Sequence, residues 1–366
     1  MPTCVMYTVV DLTPLSPGLA TDINQNGWVC GSEAGLKAFL YIPQAPGGNV
    51  FNLPPPLGIT AQAIGINNRG DVVGSSGVYP GGIEIPFLWK DCSSGGCSGF
   101  QLQPLTLFGP AGRANAINES RIIVGWSSTQ PAGSTFRRAV FWDGNNPSNS
   151  PIALDALNPN LESEAFGIND QNIIVGSAQF RNTFGNIEEH AVIWDANTRK
   201  ITRDLGTLTS VLPIRPVLPF TDLKAQATAI NNSGTIVGVG DVMSSPALRP
   251  RTGFIVRPGG TMELIPMGPS QDAGAWDISP NGTIAVTTNV LNPDTNQLED
   301  HGAIYSITKG LLDIHTTTCG AGPGGHGLSG GWILTDARAV NDNGWICGRG
   351  STPFVQNHAV LLVPTP

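Results

Sequence analysis

AIGINNRGDVVG, Ala63 to Gly74, is the stretch that decides the fold, because its pattern returns six more times along the chain. The other copies read ATDINQNGWVCG from Ala20, ANAINESRIIVG from Ala114, AFGINDQNIIVG from Ala165, ATAINNSGTIVG from Ala227, AWDISPNGTIAV from Ala275 and ARAVNDNGWICG from Ala337. Alanine begins all seven, and Ser279 replaces the Asn of the sixth copy. Starts at 20, 63, 114, 165, 227, 275 and 337 give a mean period of about 53 residues, in the range of four-stranded propeller blades.

Each copy then supplies four strands. The first ends at the Ile-Asn, the Asn-x-x-Gly segment is a tight turn because Asn and Gly tolerate positive φ, and Ile-Val-Gly is the second. The third reads AFLYI from Ala38, PFLW from Pro86, AVFW from Ala139, AVIW from Ala191, GFIV from Gly253, GAIY from Gly302 and AVLL from Ala359. A short fourth follows, such as FNL from Phe51, FQL from Phe100, RDLG from Arg203 or LLDI from Leu311. The seventh copy reaches Pro366 before a fourth strand, whereas YTVVDL, Tyr7 to Leu12, has the fourth-strand pattern and precedes the first copy. The expectation is one all-β domain over residues 1–366: a seven-bladed β-propeller of four-stranded antiparallel blades, its N-terminal strand completing the last blade and removing an exposed edge.

Period-two alternation puts the leading Ala and the residue two later on one face of the first strand, and five of those seven later residues are Gly or Ala, small enough for blades to approach near the axis. The opposite face, with Ile64, Phe166 and Trp276 and the repeated Ile or Val, is expected to fill the space between blades.

These residues resemble the HAF-repeat family of bacterial proteins, described as extracellular, over Thr8 to Val363. The His of His-Ala-Phe survives as His190, His301 and His358, whereas Lys37, Ile85, Arg138 and Thr252 precede the other third strands. The resemblance implies a propeller and an exported protein, and supplies no catalytic residues.

Composition narrows the partners. A net charge of −8 with 13% charged residues and five lysines argues against nucleic acid, which needs clustered Lys and Arg. No apolar stretch has the length of a membrane span, and Met1 to Leu15 lacks the features of a signal peptide; an extracellular or periplasmic location would mean that a leader had been removed. Low charge with abundant Asn, Thr, Gly and Pro suits a secreted β protein.

Loop length locates the working face. First-to-second turns are short, whereas the second-to-third and fourth-to-first connections are long: Ser177 to Glu189, Gly240 to Thr252, Thr287 to His301, Thr207 to Gln226 and His315 to Asp336. Both long classes emerge at one end of the ring, where binding and catalysis reside in loop-bearing scaffolds. The residues preceding each leading Ala, namely Leu19, Gln62, Arg113, Glu164, Gln226, Gly274 and Asp336, should ring the channel mouth there. Their asymmetry points to ligand reading; the alternative is a hydrated rim whose charges only solvate.

Two functions fit. A non-enzymatic binding or scaffold propeller would hold a glycan, peptide or protein, with Tyr79, Trp126, Phe180, Phe184 or Trp332 as aromatic contacts. A hydrolase or lyase would use Glu164 or Asp336 as base and Arg113 to stabilise negative charge. No standard catalytic, nucleotide or cofactor motif occurs in a fitting context, so no cofactor is expected. Equivalent histidines on separate sheets lie too far apart to share a zinc ion, and each is expected to bond a nearby backbone group instead. DINQNG from Asp22 lacks the late bidentate acid of a calcium loop and reads as a turn. Cys92 and Cys97 flank SSGG on a third-to-fourth hairpin and are expected to form a disulfide, whereas Cys30 and Cys347, at equivalent positions, should be buried thiols.

Overall fold

The computed structural model describes residues 5–34, 37–43, 48–55, 60–78, 83–91, 100–129, 136–208, 223–242, 251–267, 273–291, 296–314, 328 and 330–365. After β1 (Met6–Asp11), blade one is β2 (Gly18–Ile23), β3 (Val29–Glu33), β4 (Lys37–Ile42) and β5 (Asn49–Asn52). Blade two is β6 (Gln62–Ile66), β7 (Val72–Val78), β8 (Ile83–Asp91) and β9 (Phe100–Pro104); blade three is β10 (Gly112–Ile117), β11 (Ile122–Ser128), β12 (Arg137–Asp143) and β13 (Ile152–Ala153). Blade four is β14 (Ser163–Ile168), β15 (Ile173–Arg181), β16 (Ile187–Asp195) and β17 (Lys200–Gly206); blade five is β18 (Ala225–Ile230), β19 (Ile236–Asp241), β20 (Arg251–Val256) and β21 (Met262–Leu264). Blade six is β22 (Gly274–Ile278), β23 (Ile284–Leu291), β24 (Leu298–Ser306) and β25 (Gly310–Asp313), and blade seven begins with β26 (Ile333–Val340), β27 (Ile346–Ser351) and β28 (His358–Thr365).

All seven sheets are four-stranded and antiparallel, and the last has the order β1-β28-β27-β26. The N-terminal strand thus closes the ring, with Tyr7 opposite Pro364, Val9 opposite Leu362 and Asp11 opposite Val360. Tyr7 and the adjoining Leu12 are buried by that closure, worth about 1.5–3 kcal/mol per large apolar side chain.

Hydrophobic burial is concentrated between blades. One cluster joins Leu12, Ala20, Val29 and Phe39 to Ala339, Ala359 and Leu361, so blades one and seven share a core. Trp89, Trp142 and Trp194 of the third strands are buried, and each indole N–H donates to a carbonyl of the preceding blade: Pro54 at 3.1 Å, Thr106 at 2.7 Å and Asp155 at 2.8 Å. The polar end of each ring is satisfied, which makes a large buried aromatic favourable there.

Every inner strand carries a bulge immediately after its leading Ala, at Thr21, Ile64, Asn115, Phe166, Thr228, Trp276 and Arg338. The extra residue breaks the period of two and re-aims its side chain. Ile64, Phe166 and Trp276 accordingly line the central channel and do not fill the space between blades, which corrects the expectation from strict alternation. The small-residue half of that reading holds: a Cβ on Gly65 would meet Asn115 O of the next blade at 2.9 Å. The bulge also explains the Gly that ends each Val-Gly. A Cβ on Gly74 would lie 1.8 Å from Gln62 O, and one on Gly125 1.8 Å from Arg113 O, so the inner strand's carbonyl occupies that space.

The Asn of each Ile-Asn does more than turn the chain. Asn24 Oδ1 accepts from the N–H of Asn26 and of Trp28 within its own turn, while its Nδ2 donates to Asn67 O of the next blade at 3.0 Å. Asn67, Asn118, Asn169 and Asn231 repeat the donation to blades three to six, and Asn341 completes it to Asn24 O at 3.1 Å. A second circle runs one residue later: Gln25, Asn68, Glu119 and Asp170 each donate a backbone N–H to the next blade's side-chain oxygen, and Asp342 N donates to Gln25 Oε1. Both circles change at blade six, where Ser279 has no amide and Pro280 no N–H.

Candidate functional site

The channel has two unlike ends. At the short-turn end, the Asn circles surround a cavity of about 280 Å³. Asp22 and Asp277 line it where five blades have Gly or Ala. Asp22 accepts from the N–H of Ile23 and, across the blade boundary, of Ile66, both at 2.8 Å; Asp277 accepts from Val340 N at 3.1 Å. Burial, with Asp277 as a like-charged neighbour, pushes Asp22 up to about 8, and burial pushes Asp277 up to about 6. These carboxyls tie blade to blade, and burial favours the neutral form of each.

At the long-loop end are two larger cavities, of about 440 Å³ and 690 Å³. The first is walled by the starts of β2 and β6, the end of β3, and Arg113, and the second by blades six and seven with Arg251 of blade five; Arg349 and Asn357 line both. The loops feeding this end are partly strand. β15 and β16 continue as a ladder to Arg181 opposite Ile187, so much of the Ser177 to Glu189 connection is a projecting hairpin, as is part of Thr287 to His301.

The mouth residues are distributed unequally. Leu19, Gln62 and Arg113 share the smaller cavity, Asp336 lines the larger, and Glu164, Gln226 and Gly274 line neither. Glu164 Oε1 accepts from Asn115 Nδ2 and Oε2 from Arg137, both at 3.0 Å. Burial raises the Glu164 pKa, opposed by the Asn115 bond and the positive charges of Arg137 and Arg113. Asp336 accepts from Thr287 Oγ1 at 2.6 Å and from Arg338 Nε at 2.7 Å, while Arg338 also lies over the Trp276 ring at 4.5 Å. Gln226 donates to Glu189 Oε1, which also accepts from Ser177.

The aromatic candidates do not form a common platform. Trp126 is buried beneath Arg137, Phe180 lies 4.9 Å from the His190 ring, and Trp332 packs against the blade-seven core, whereas Phe184 is exposed. Tyr79, Cys92 and Cys97 lie outside the described residues. Cys30 and Cys347 are buried free thiols whose pKa values burial raises.

The three repeat histidines find carboxylates, not backbone groups. His190 Nδ1 lies 3.0 Å from Asp204 and its Nε2 3.2 Å from Glu188; His358 Nδ1 lies 2.9 Å from Asp11 and His301 Nδ1 3.4 Å from Asp313. Asp11, Asp204 and Asp313 occupy one register position of the outer strands, and Asn52, Pro104, Ala153 and Leu264 stand there in the blades lacking His. His and Asp therefore come and go together along the chain. Each pair clips the third strand to the fourth within one blade, and among the described residues no cluster of three His, Cys, Asp or Glu is placed to hold a metal ion.

A family model described as "Protein of unknown function (DUF3466)" matches residues 109–261. A search of curated proteins finds no match. Among solved structures, the β-propeller domain of the Trilobed protease from Pyrococcus furiosus is similar at 10% identity and TM-score 0.57, covering 99% of this chain and 94% of that one. YCF48 bound to D1 peptide matches at 9% identity and TM-score 0.53 over 100% and 99% of the two chains, and the Myceliophteria thermophila Cps50 (Swd1) β-propeller domain at 9% and 0.52 over 99% and 100%. The likeness is one of fold. It does not extend to every closure: the Pyrococcus domain is described as having an open velcro topology, whereas β1 closes this ring against β28.

Proposed function

We propose that the chain is a binding propeller that holds the exposed end of a glycan, peptide or protein in the paired cavities of the long-loop mouth, without performing chemistry on it. The observation that carries this reading is the state of the mouth carboxylates. An acid/base pair needs two carboxyl groups converging on one pocket with oxygens free to exchange protons. Glu164 and Asp336 do not share a cavity, and both oxygens of each are engaged by neighbouring side chains. A mainly apolar cavity of about 440 Å³ and one of about 690 Å³ with a mixed lining, which share Arg349 and Asn357, have the size of small-ligand sites.

A glycan and peptide binding screen on the full chain, repeated with Leu19→Trp to fill the smaller cavity, tests the proposal. Hits that Leu19→Trp weakens support it. Turnover of an ester, glycoside or uronide substrate that Glu164→Gln or Asp336→Asn abolishes would establish the hydrolase or lyase in its place.

A further inference from the structure

We propose that Arg113 and Arg349 form a carboxylate receptor at the long-loop mouth, an inference that rests on the mouth being the binding site. Arg113 comes from the inner strand of blade three and Arg349 from the second strand of blade seven, and both line the cavity of about 440 Å³. The Nε of each is buried and has no hydrogen-bond partner among the described residues. A buried N–H donor without a partner is costly, and two half-buried arginines lining one cavity each keep one, although the Arg113 charge also acts on Glu164.

Three other arginines of the channel and the long-loop end are paired with carboxylates. Arg121 bonds Asp71, Arg137 bonds Glu164 and Arg338 bonds Asp336, at 2.7, 3.0 and 2.7 Å. The one carboxylate lining the same cavity, Glu33, is held by Lys37 at 3.2 Å and by Ser16 Oγ at 3.1 Å. Acids are not scarce, since Asp and Glu total 27 against 19 Lys and Arg. The two unpartnered Nε donors are therefore a local arrangement and not a result of too few acids.

The cavity specifies the ligand's chemistry. Two planar forks of N–H donors match carboxylate oxygens, which Arg engages bidentately. Gln62 and Asn357 add amide groups, and Leu19 and Ile64 provide an apolar wall for a short carbon chain or a sugar ring face. A compact acid fits: a free dicarboxylate, or a sugar acid with hydroxyls toward the amides.

Calorimetric titration of the full chain at low salt with glutarate, galacturonate and galactose tests the receptor. Saturable binding of glutarate or galacturonate is expected, with neutral galactose weaker by about tenfold or more. Glutarate binding ahead of galacturonate indicates a free dicarboxylate, and the reverse a sugar acid. Arg113→Gln and Arg349→Gln should each weaken the anion by about tenfold, and together abolish it, whereas Lys200→Gln, which removes one exposed positive charge at the Asp155 pair, should leave it unchanged. Arg113→Lys keeps the charge, loses the fork, and should give intermediate affinity.

Neither side chain bonds a described residue, but the Arg113 charge acts on Glu164, so the melting temperature of each glutamine variant is measured alongside, and loss of binding by a variant that stays folded at the assay temperature separates lost binding from lost folding. Binding of glutarate by the double variant at wild-type affinity overturns the receptor, as does absence of anion binding or tighter binding of inorganic phosphate than of either acid. If screening finds a neutral ligand that Leu19→Trp excludes while neither acid binds, the mouth stands and the receptor falls. If Leu19→Trp alters no binding at all, the mouth itself falls.

Discussion

Replacing Arg121 with Gly sets two structural effects of opposite sign against each other. The third copy reads Asn-Glu-Ser-Arg where most others end in Gly, so Arg121 sits at φ 64° in the position that Gly70 occupies at 83° and Gly234 at 81°. Relieving a left-handed non-glycine residue favours Arg121→Gly by about 1 kcal/mol. The side chain it removes, however, crosses a blade boundary. Arg121 Nε donates to Asp71 Oδ2 at 2.7 Å and its Nη2 to Oδ1 at 3.2 Å, and the Asp71 side chain is 0% exposed. Breaking a buried pair by removing one partner costs about 3–5 kcal/mol. Asp71 keeps donors from Asn67 Nδ2 and Asp91 N, both at 3.1 Å, so the lower end applies. The net expectation is a loss of about 2 kcal/mol despite the better backbone residue. Equilibrium urea unfolding should show a lower midpoint at unchanged slope. Adding Asp71→Asn to Arg121→Gly should recover part of the loss, because the stranded charge is gone. An Arg121→Gly protein as stable as wild type, or more so, would refute the argument and show that backbone strain outweighs the inter-blade ion pair.

Three further outcomes are expected. Asp22 and Asp277 have folded pKa values near 8 and 6, above the unfolded value, so the stability linked to their protons is complete below about pH 4 and is lost as pH rises toward each folded value. Melting temperatures should therefore fall from pH 5 to pH 9, and Asp22→Ala should flatten the slope between pH 6 and 8. Ser279→Asn restores an amide at the interrupted place in the Asn circle and should raise stability by about 0.5–1 kcal/mol in urea unfolding; a decrease would show that Pro280 prevents the latch. Intact-mass measurement should find the untreated protein lighter by two hydrogens than the reduced one if Cys92 and Cys97 are bonded, and two free thiols there would remove the main argument for an oxidising, exported location.

The architecture was legible because repetition makes it so. Seven leading alanines give the blade count, and YTVVDL without a partner at one end with an unfinished copy at the other gives the closure that β1 and β28 make. Side-chain direction was not, because alternation presumes a regular ladder and every inner strand is bulged after its Ala. That is why Ile64, Phe166 and Trp276 were assigned to the wrong side. The bulge had a signal in the sequence: Gly in six copies after the second-strand Val or Cys, a position that in a regular strand would favour a larger residue. The histidine partners were also readable, since Asp11, Asp204 and Asp313 occur in the outer strands of the three blades that keep His190, His301 and His358. At the mouth the inner-strand set included Arg113, but Arg349 comes from a second strand facing the same way, and pairing across strands must be known before the two can be joined. Which carboxylates are already neutralised depends on contacts between blades, such as Arg137 to Glu164, that no short-range pattern encodes.

A crystal structure of the full chain soaked with glutarate, compared with an unsoaked crystal, tests most directly where this propeller binds. Ligand density between Arg113 and Arg349, with the Glu164–Arg137 and Asp336–Arg338 pairs intact, is the expected result. Density confined to the Asn-lined end of the channel, or Glu164 and Asp336 released from their partners onto the ligand, would contradict the account.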